Sequence, residues 1–349
     1  MEDVRISREG KAGRVTLTRP KALNSLNHEM CLVIDEAIWK WADDPSVALV
    51  AIDAEGDRAF CAGGDIAMIY EKGREGDYSY GRGFWRDEYR MNTRLSEYPK
   101  PVVSLMQGFI MGGGVGLGGH VSHRIVCESS QVAMPECGIG LIPDVGGTLL
   151  LAKAPGRVGE YIGLTGARMG AGDAIYSGFA NLYVPQEKWP ALIADLCETG
   201  DVDAIGRHAL PAPASGLAVA HEALDRLFAG DTVEDIAAAL GADDSDLATK
   251  AKKAIDAGSP LSLACTLKMI RDLRAGKGGI REALTQEYRF THRSMDQGDF
   301  LEGIRAAIID KDKQPRWRHP SIASVSTQEV ETLLAPLGAE ELSFKERWS

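Results

Sequence analysis

Two carboxylates carry the first chemical signal in this chain: Glu136 and Asp144, set in Met134-Pro135-Glu136-Cys137-Gly138-Ile139-Gly140-Leu141-Ile142-Pro143-Asp144-Val145-Gly146-Gly147. Proline and glycine make this stretch a loop between apolar segments, a place where a rigid scaffold aims catalytic groups. Two acids at such a place can divide labour, one as base or nucleophile and the other as acid or orienter. Each also has a structural alternative. Asp144 suits the N-terminus of a helix starting near Gly146, and Glu136 can satisfy backbone donors.

Two glycine clusters accompany the acids. Seven glycines fall between Gly108 and Gly119, and glycine is costly in a helix, so the cluster needs a reason. Close approach is one: bare backbone N–H groups at a helix start can point at a ligand oxygen, aided by the helix dipole. Ala62-Gly63-Gly64-Asp65 is a second small-residue turn leading from a strand into a helix. Two such turns, each giving one N–H, can form an oxyanion hole for a polarised carbonyl; tight helix–sheet packing is the alternative. The run Gly114 to Gly119 also satisfies G-x-G-x-x-G, with Glu136 about twenty residues on. A dinucleotide site wants that motif at the first strand-to-helix turn, whereas here four or five strands precede it. His120 and His123 lack a third metal ligand at sensible spacing. The six cysteines have no metal-ligand spacing and read as buried small hydrophobes.

The elements that must hold these residues follow from periodicity. Val4 to Ile6 and Val15 to Leu17 alternate as a half-buried hairpin does. Asn27 is placed to cap a helix with Met30, Ile34, Ala37 and Trp41 on its apolar face. Val47 to Ile52 and Val102 to Met106 are apolar runs suited to strands covered on both faces. Asp65 is the natural cap of a short helix through Tyr70, and Arg124 to Cys127 and Val132 to Met134 read as short strands. Strand, strand, helix recurs, which predicts an α/β (α+β) fold. Strand signals end near Gln186, so the chain divides into a core over 1–185 and a helical region with a tail over 186–349. Ser259-Pro260 should open a helix through Arg274.

Composition bounds the function. At 349 residues, 44% hydrophobic and 26% charged, the chain can bury a core and solvate its surface. A net charge of −11 excludes a basic stripe for nucleic acid, and any anionic ligand must be held by local N–H groups and a few cations. Thr148 to Ala154 is among the longest apolar runs and is far too short for a bilayer. The first residues show no signal or transit pattern, so a cytoplasmic location is expected.

Taken jointly, Arg19-Pro20-Lys21-Ala22-Leu23-Asn24-Ser25-Leu26, Phe60-Cys61-Ala62-Gly63-Gly64-Asp65-Ile66, Gly112 to Gly116, and Pro135-Glu136 through Gly147 resemble the crotonase (enoyl-CoA hydratase/isomerase) superfamily. The resemblance implies a spiral of ββα units with a helical C-terminal region. It implies that the Gly64 and Gly113 amides form the oxyanion hole for a thioester carbonyl. Lys21, Ala22 and Leu23 with Ala62, Gly63, Gly64, Asp65 and Ile66 would hold the CoA moiety. A hydratase of this family uses two glutamates; the second matches Glu136, but the first would fall at Gly116, which has no side chain. Asp144 stands where hydratases usually have glycine. Both departures point to the family's 3-hydroxyisobutyryl-CoA hydrolase branch, which Glu88 as an added substrate-binding residue, Ser259 to Leu263, Glu287-Tyr288-Arg289 and Asp299 to Ala306 also resemble.

The implied activity is hydrolysis of a short 3-hydroxyacyl-CoA thioester in valine breakdown, with 3-hydroxypropionyl-CoA as a second substrate. Glu136, Asp144, Gly64 and Gly113 would be catalytic; Glu88, Gly113, Glu136 and Asp144 would bind the acyl group. No cofactor or metal is expected, CoA being part of the substrate. Neither a nucleic-acid nor a membrane partner is expected, and relatives suggest a homo-oligomer, trimer or hexamer. The rival readings are a hydratase or isomerase, a non-catalytic acyl-CoA-binding protein and, more distantly, a nicotinamide-dependent dehydrogenase.

Overall fold

The computed structural model describes residues 3–344. Its first strands form where apolar and polar residues alternate: β1 (Val4–Glu9) and β2 (Ala12–Leu17) pair antiparallel, Val4 opposite Leu17. Asn27 accepts the Met30 N–H at 2.8 Å and caps α1 (His28–Asp43), which buries Met30, Ile34, Ala37 and Trp41 as the spacing predicts. The next strand, β3 (Leu49–Ala54), starts two residues later than its apolar run. β4 (Ala59–Cys61) follows, then α2 (Ala67–Arg74) and α3 (Ser79–Ser96). The cap position of α2 is Ile66, not Asp65, and the helix runs past Tyr70.

Beyond these come β5 (Val102–Met106), β6 (Phe109–Met111) and α4 (Gly113–Gly118). β7 (His123–Val126) and β8 (Gln131–Ala133) sit one residue earlier than their sequence signals. Then follow α5 (Gly147–Lys153), α6 (Val158–Thr165), α7 (Ala171–Tyr176), β9 (Leu182–Tyr183) and α8 (Trp189–Thr199). The rest is helical: α9 (Gly216–Leu227), α10 (Val233–Gly241), α11 (Asp246–Ala257), α12 (Pro260–Gly276), α13 (Ile280–Ser294), α14 (Phe300–Ile304) and α15 (Thr327–Leu334). Ser259 caps α12 by accepting from Ser262 N, as its Ser-Pro start predicts.

The chain forms two compact units, each assembled from three stretches. The first takes 1–64, 87–133 and 168–218. It contains both sheets: six strands in the order β1-β2-β3-β5-β7-β9 and three in the order β4-β6-β8. From β3 onward, successive strands through β8 enter the two sheets alternately, and every pairing after the hairpin is parallel. That alternation is the predicted recurrence of paired strands. Leu49, Ala51, Val103, Leu105 and Ile125 of the larger sheet pack on Trp189, Leu192 and Leu196 of α8. Each large apolar side chain so buried contributes about 1.5–3 kcal/mol.

The second unit takes 65–86, 134–167 and the described residues from 219 onward, and is helical. Its axis is α12, which buries ten of its seventeen residues and packs on α5, α6 and α13. Glu160 of α6 is wholly buried and is gripped by Arg274 of α12, at 2.6 and 3.0 Å, and by Arg157 at 2.7 Å. A buried carboxylate is tolerated only with such partners. Five of the six cysteines are buried and Cys197 is half-buried; burial pushes the Cys61 and Cys137 thiols up to about 12, so neither is a ready nucleophile. No helix among the described residues is long and apolar enough to cross a membrane.

Candidate active site

In the first unit the expected CoA segments lie side by side. Ala62 N donates to Leu23 O at 3.0 Å, and Leu26 N donates to Gly63 O at 2.9 Å. Asn24 locks this arrangement: it is fully buried, and its amide donates to Glu55 O at 3.0 Å and Ala59 O at 2.9 Å. Those bonds hold Leu23 and Asn24 in left-handed backbone, at φ 51° and 54°. Lys21 and Ala22 stay exposed in a single 3-10 turn, free to meet a ligand.

The glycines at the end of β4 and the start of α4 meet. A methyl group added to Gly113 would stand 3.4 Å from Gly64 N and 3.4 Å from Leu26, and 2.8 Å from Glu88 Oε1. Gly113 is the first residue of α4, where a helix leaves its amides without an intrahelical partner. Gly114 touches the chain behind it: an added methyl would lie 2.2 Å from Cys61 O. Glycine is therefore required here for close backbone approach, which is the tight-packing reading of the cluster. Glu88, on α3 and 3% exposed, faces the Gly113 backbone. Its charge also helps, after burial, to push the Cys31 and Cys61 thiols up. The G-x-G-x-x-G match lies within α4 after the sixth strand, not at the first strand-to-helix turn.

The second unit holds the acids. Glu136 begins a 3-10 turn, Glu136–Ile139, and is 5% exposed. Burial raises its pKa well above the carboxylate range, and the charges of Asp144 and Glu287 push the same way. Among the described residues, Glu136 Oε2 is buried without a hydrogen-bond partner. Strongly perturbed buried carboxyls of this kind are candidates for functional groups. Asp144 is likewise buried and precedes two left-handed residues, Val145 at φ 53° and Gly146 at φ 81°. Asp144 is not the cap of α5: the cap residue is Gly146, and no side chain caps it from that position.

Glu287 of α13 satisfies amides at the start of α5, accepting from Gly146 N at 2.7 Å and Thr148 N at 3.1 Å. Sequence reasoning noted Glu287 only within a family phrase. Its position in an apolar helical face, between Leu284 and Tyr288, is the signal that it is buried. Asp65 and Ile66 belong to this second unit as the lead into α2.

Comparison with known proteins completes the description. Residues 12–334 match the sequence profile of the enoyl-CoA hydratase/isomerase family. The chain is 36% identical over 353 residues to the mitochondrial 3-hydroxyisobutyryl-CoA hydrolase of Gallus gallus, covering 98% of this chain and 91% of that protein. It is 58% identical to a solved enoyl-CoA hydratase from Rhodobacter sphaeroides, with a TM-score of 0.94, covering 98% of this chain and 100% of that one. A solved carnitinyl-CoA dehydratase from Mycobacterium thermoresistibile is 43% identical, with a TM-score of 0.95, over 99% of this chain and 100% of that one.

Proposed function

This chain belongs to the enoyl-CoA hydratase/isomerase family, and from that membership we propose that it hydrolyses a short 3-hydroxyacyl-CoA thioester, foremost 3-hydroxyisobutyryl-CoA, to the free acid and CoA. The observation that carries the proposal is the acid inventory. By the family resemblance Gly116 falls at the place of a hydratase's first glutamate, while Glu136 remains, buried with a raised pKa and accompanied by Asp144. One carboxylate suffices to attack a thioester carbonyl or to activate water against it. The family's two-glutamate hydration needs a second at a position that here has no side chain.

In this reading the Gly64 and Gly113 amides hold the oxyanion, and Glu136 attacks the carbonyl or takes a proton from water. Asp144 orients Glu136, the water or the substrate hydroxyl, and Glu88 binds the acyl end. The thiolate of CoA leaves with the electron pair of the C–S bond and is protonated by the proton that water gives up. Where Glu136 attacks, that water cleaves the resulting acyl–Glu136 anhydride to the free acid and the original carboxylate. A place in valine catabolism follows from the substrate.

A second reading has its own support, since the solved relatives named above are a hydratase and a dehydratase and share more identity with this chain than the hydrolase does. A panel of short acyl-CoAs with and without a 3-hydroxyl, plus crotonyl-CoA, separates the two. Thiol release from the 3-hydroxyacyl esters with at most about one hundredth of that rate for crotonyl-CoA hydration is expected. Faster loss of the enoyl absorbance than thiol release overturns the hydrolase reading. Single turnover in heavy-oxygen water then distinguishes a covalent route, which labels Glu136, from direct attack by water.

A further inference from the structure

The turn that carries Asp144 is strained. Val145 is β-branched and held at φ 53°, a region costing about 1–3 kcal/mol for such a residue, and Gly146 follows at φ 81°. Something must over-determine this geometry. Inside the turn, Gly147 N donates to Asp144 O at 2.7 Å. Two further amides and one hydroxyl of this turn converge on one buried side chain from α13. Gly146 N donates to Glu287 Oε2 at 2.7 Å, Thr148 N donates to Oε1 at 3.1 Å, and the Thr148 hydroxyl donates to the same Oε1. Glu287 and Thr148 are both fully buried. Three donors on two oxygens fit a carboxylate, because an amide in its place would turn an NH2 group towards a donor.

We infer that Glu287 is a positioning residue: its carboxylate, clamped on Gly146 and Thr148, fixes the left-handed turn that aims Asp144. The inference deepens the hydrolase reading and rests on it. Its physical basis is that misplacing a reacting group by about 1 Å costs about a hundredfold in rate, so a strained turn next to an acid needs a rigid anchor. Burial, joined by the Asp144 charge, pushes the Glu287 carboxyl up to about 8 even against these three hydrogen bonds, which favour the anion, so the clamp is at full strength above that value and weakens as pH falls through it. Surrounding α13 residues Ala283, Leu284, Tyr288 and Thr291 are buried, so the anchor has little freedom to move.

The test uses the full chain with Glu287→Gln, Glu287→Asp and Thr148→Ala. Glu287→Gln should lower kcat about tenfold to a hundredfold while KM and the Kd for CoA stay within about twofold. Glu287→Asp keeps the charge one methylene short and should recover part of the lost kcat. Amide hydrogen exchange at Gly146 and Thr148 should speed up in Glu287→Gln while the rest of α5 stays protected. A kcat within about twofold of wild type for Glu287→Gln overturns the inference. So does a fall in melting temperature with kcat per folded molecule unchanged. Should Glu287→Gln not fold, Thr148→Ala, lacking one donor, should still lower kcat about threefold or more at unchanged KM; no change sinks the clamp. Wild-type enzyme that releases no thiol defeats the hydrolase reading alone, and the clamp is then read from the exchange of those two amides and from crotonyl-CoA turnover.

Discussion

At the scale of single residues, chemistry depends on what one atom too many or one charge too few does. Gly113 faces Glu88 Oε1 and Gly64 N so closely that a methyl group must displace the carboxylate. Gly113→Ala should therefore fold but lose about 3 kcal/mol of transition-state stabilisation, some hundredfold in kcat, measurable beside an unchanged circular dichroism spectrum. Glu136 yields a pH signature. Its pKa is raised by burial first and by Asp144 next, and in the proposed reaction it acts as the anion. Activity should climb as pH rises through that raised value, so the acid limb lies above the ordinary carboxylate range. Asp144→Asn removes the like charge, lowers the Glu136 pKa and should move the limb of kcat/KM to lower pH. A limb that stays in place, or moves up, contradicts the assigned coupling. Both carboxylates were legible as candidates because acids on a Pro/Gly loop stand out; the coupling between them was not, since it depends on burial.

Among the elements, local signals were read where they are self-contained. The Asn27 and Ser259 caps, the β1–β2 alternation and the α1 face each depend on residues within one or two turns, and the structure keeps all of them. β6 escaped notice because three residues beside a glycine cluster carry too short a pattern. The cap of α2 was misplaced by one residue, and the carboxylate that satisfies the start of α5 was not legible at all, because Glu287 lies 141 positions away from Gly146. Stability at this scale is set by ties such as Glu160, wholly buried between Arg157 and Arg274. Glu160→Ala should lower unfolding free energy by about 3 kcal/mol, since it strands partly buried guanidinium groups, while kcat per folded molecule stays unchanged. Urea unfolding followed by tryptophan fluorescence checks the first part, and a loss below about 0.5 kcal/mol would mark the tie as idle.

For the whole molecule, the family follows from four short phrases spread over the first half of the chain, and the full-length likeness to family members agrees with them. Net charge and the αβ recurrence were also matters of sequence alone, because composition and period are properties of the chain itself. The sequence determined which residues are available: two glycine turns, Glu88, Glu136, Asp144 and a glycine at position 116. Only the tertiary structure decided what each one meets. It brought Gly113 against Gly64 and Glu88, turned Gly114 onto Cys61, and set Glu287 under the Asp144 turn. It also drew each compact unit from three separated stretches. The physical reason is that burial and long-range hydrogen bonds depend on which distant segments pack together, and no local pattern encodes a contact between positions a hundred residues apart.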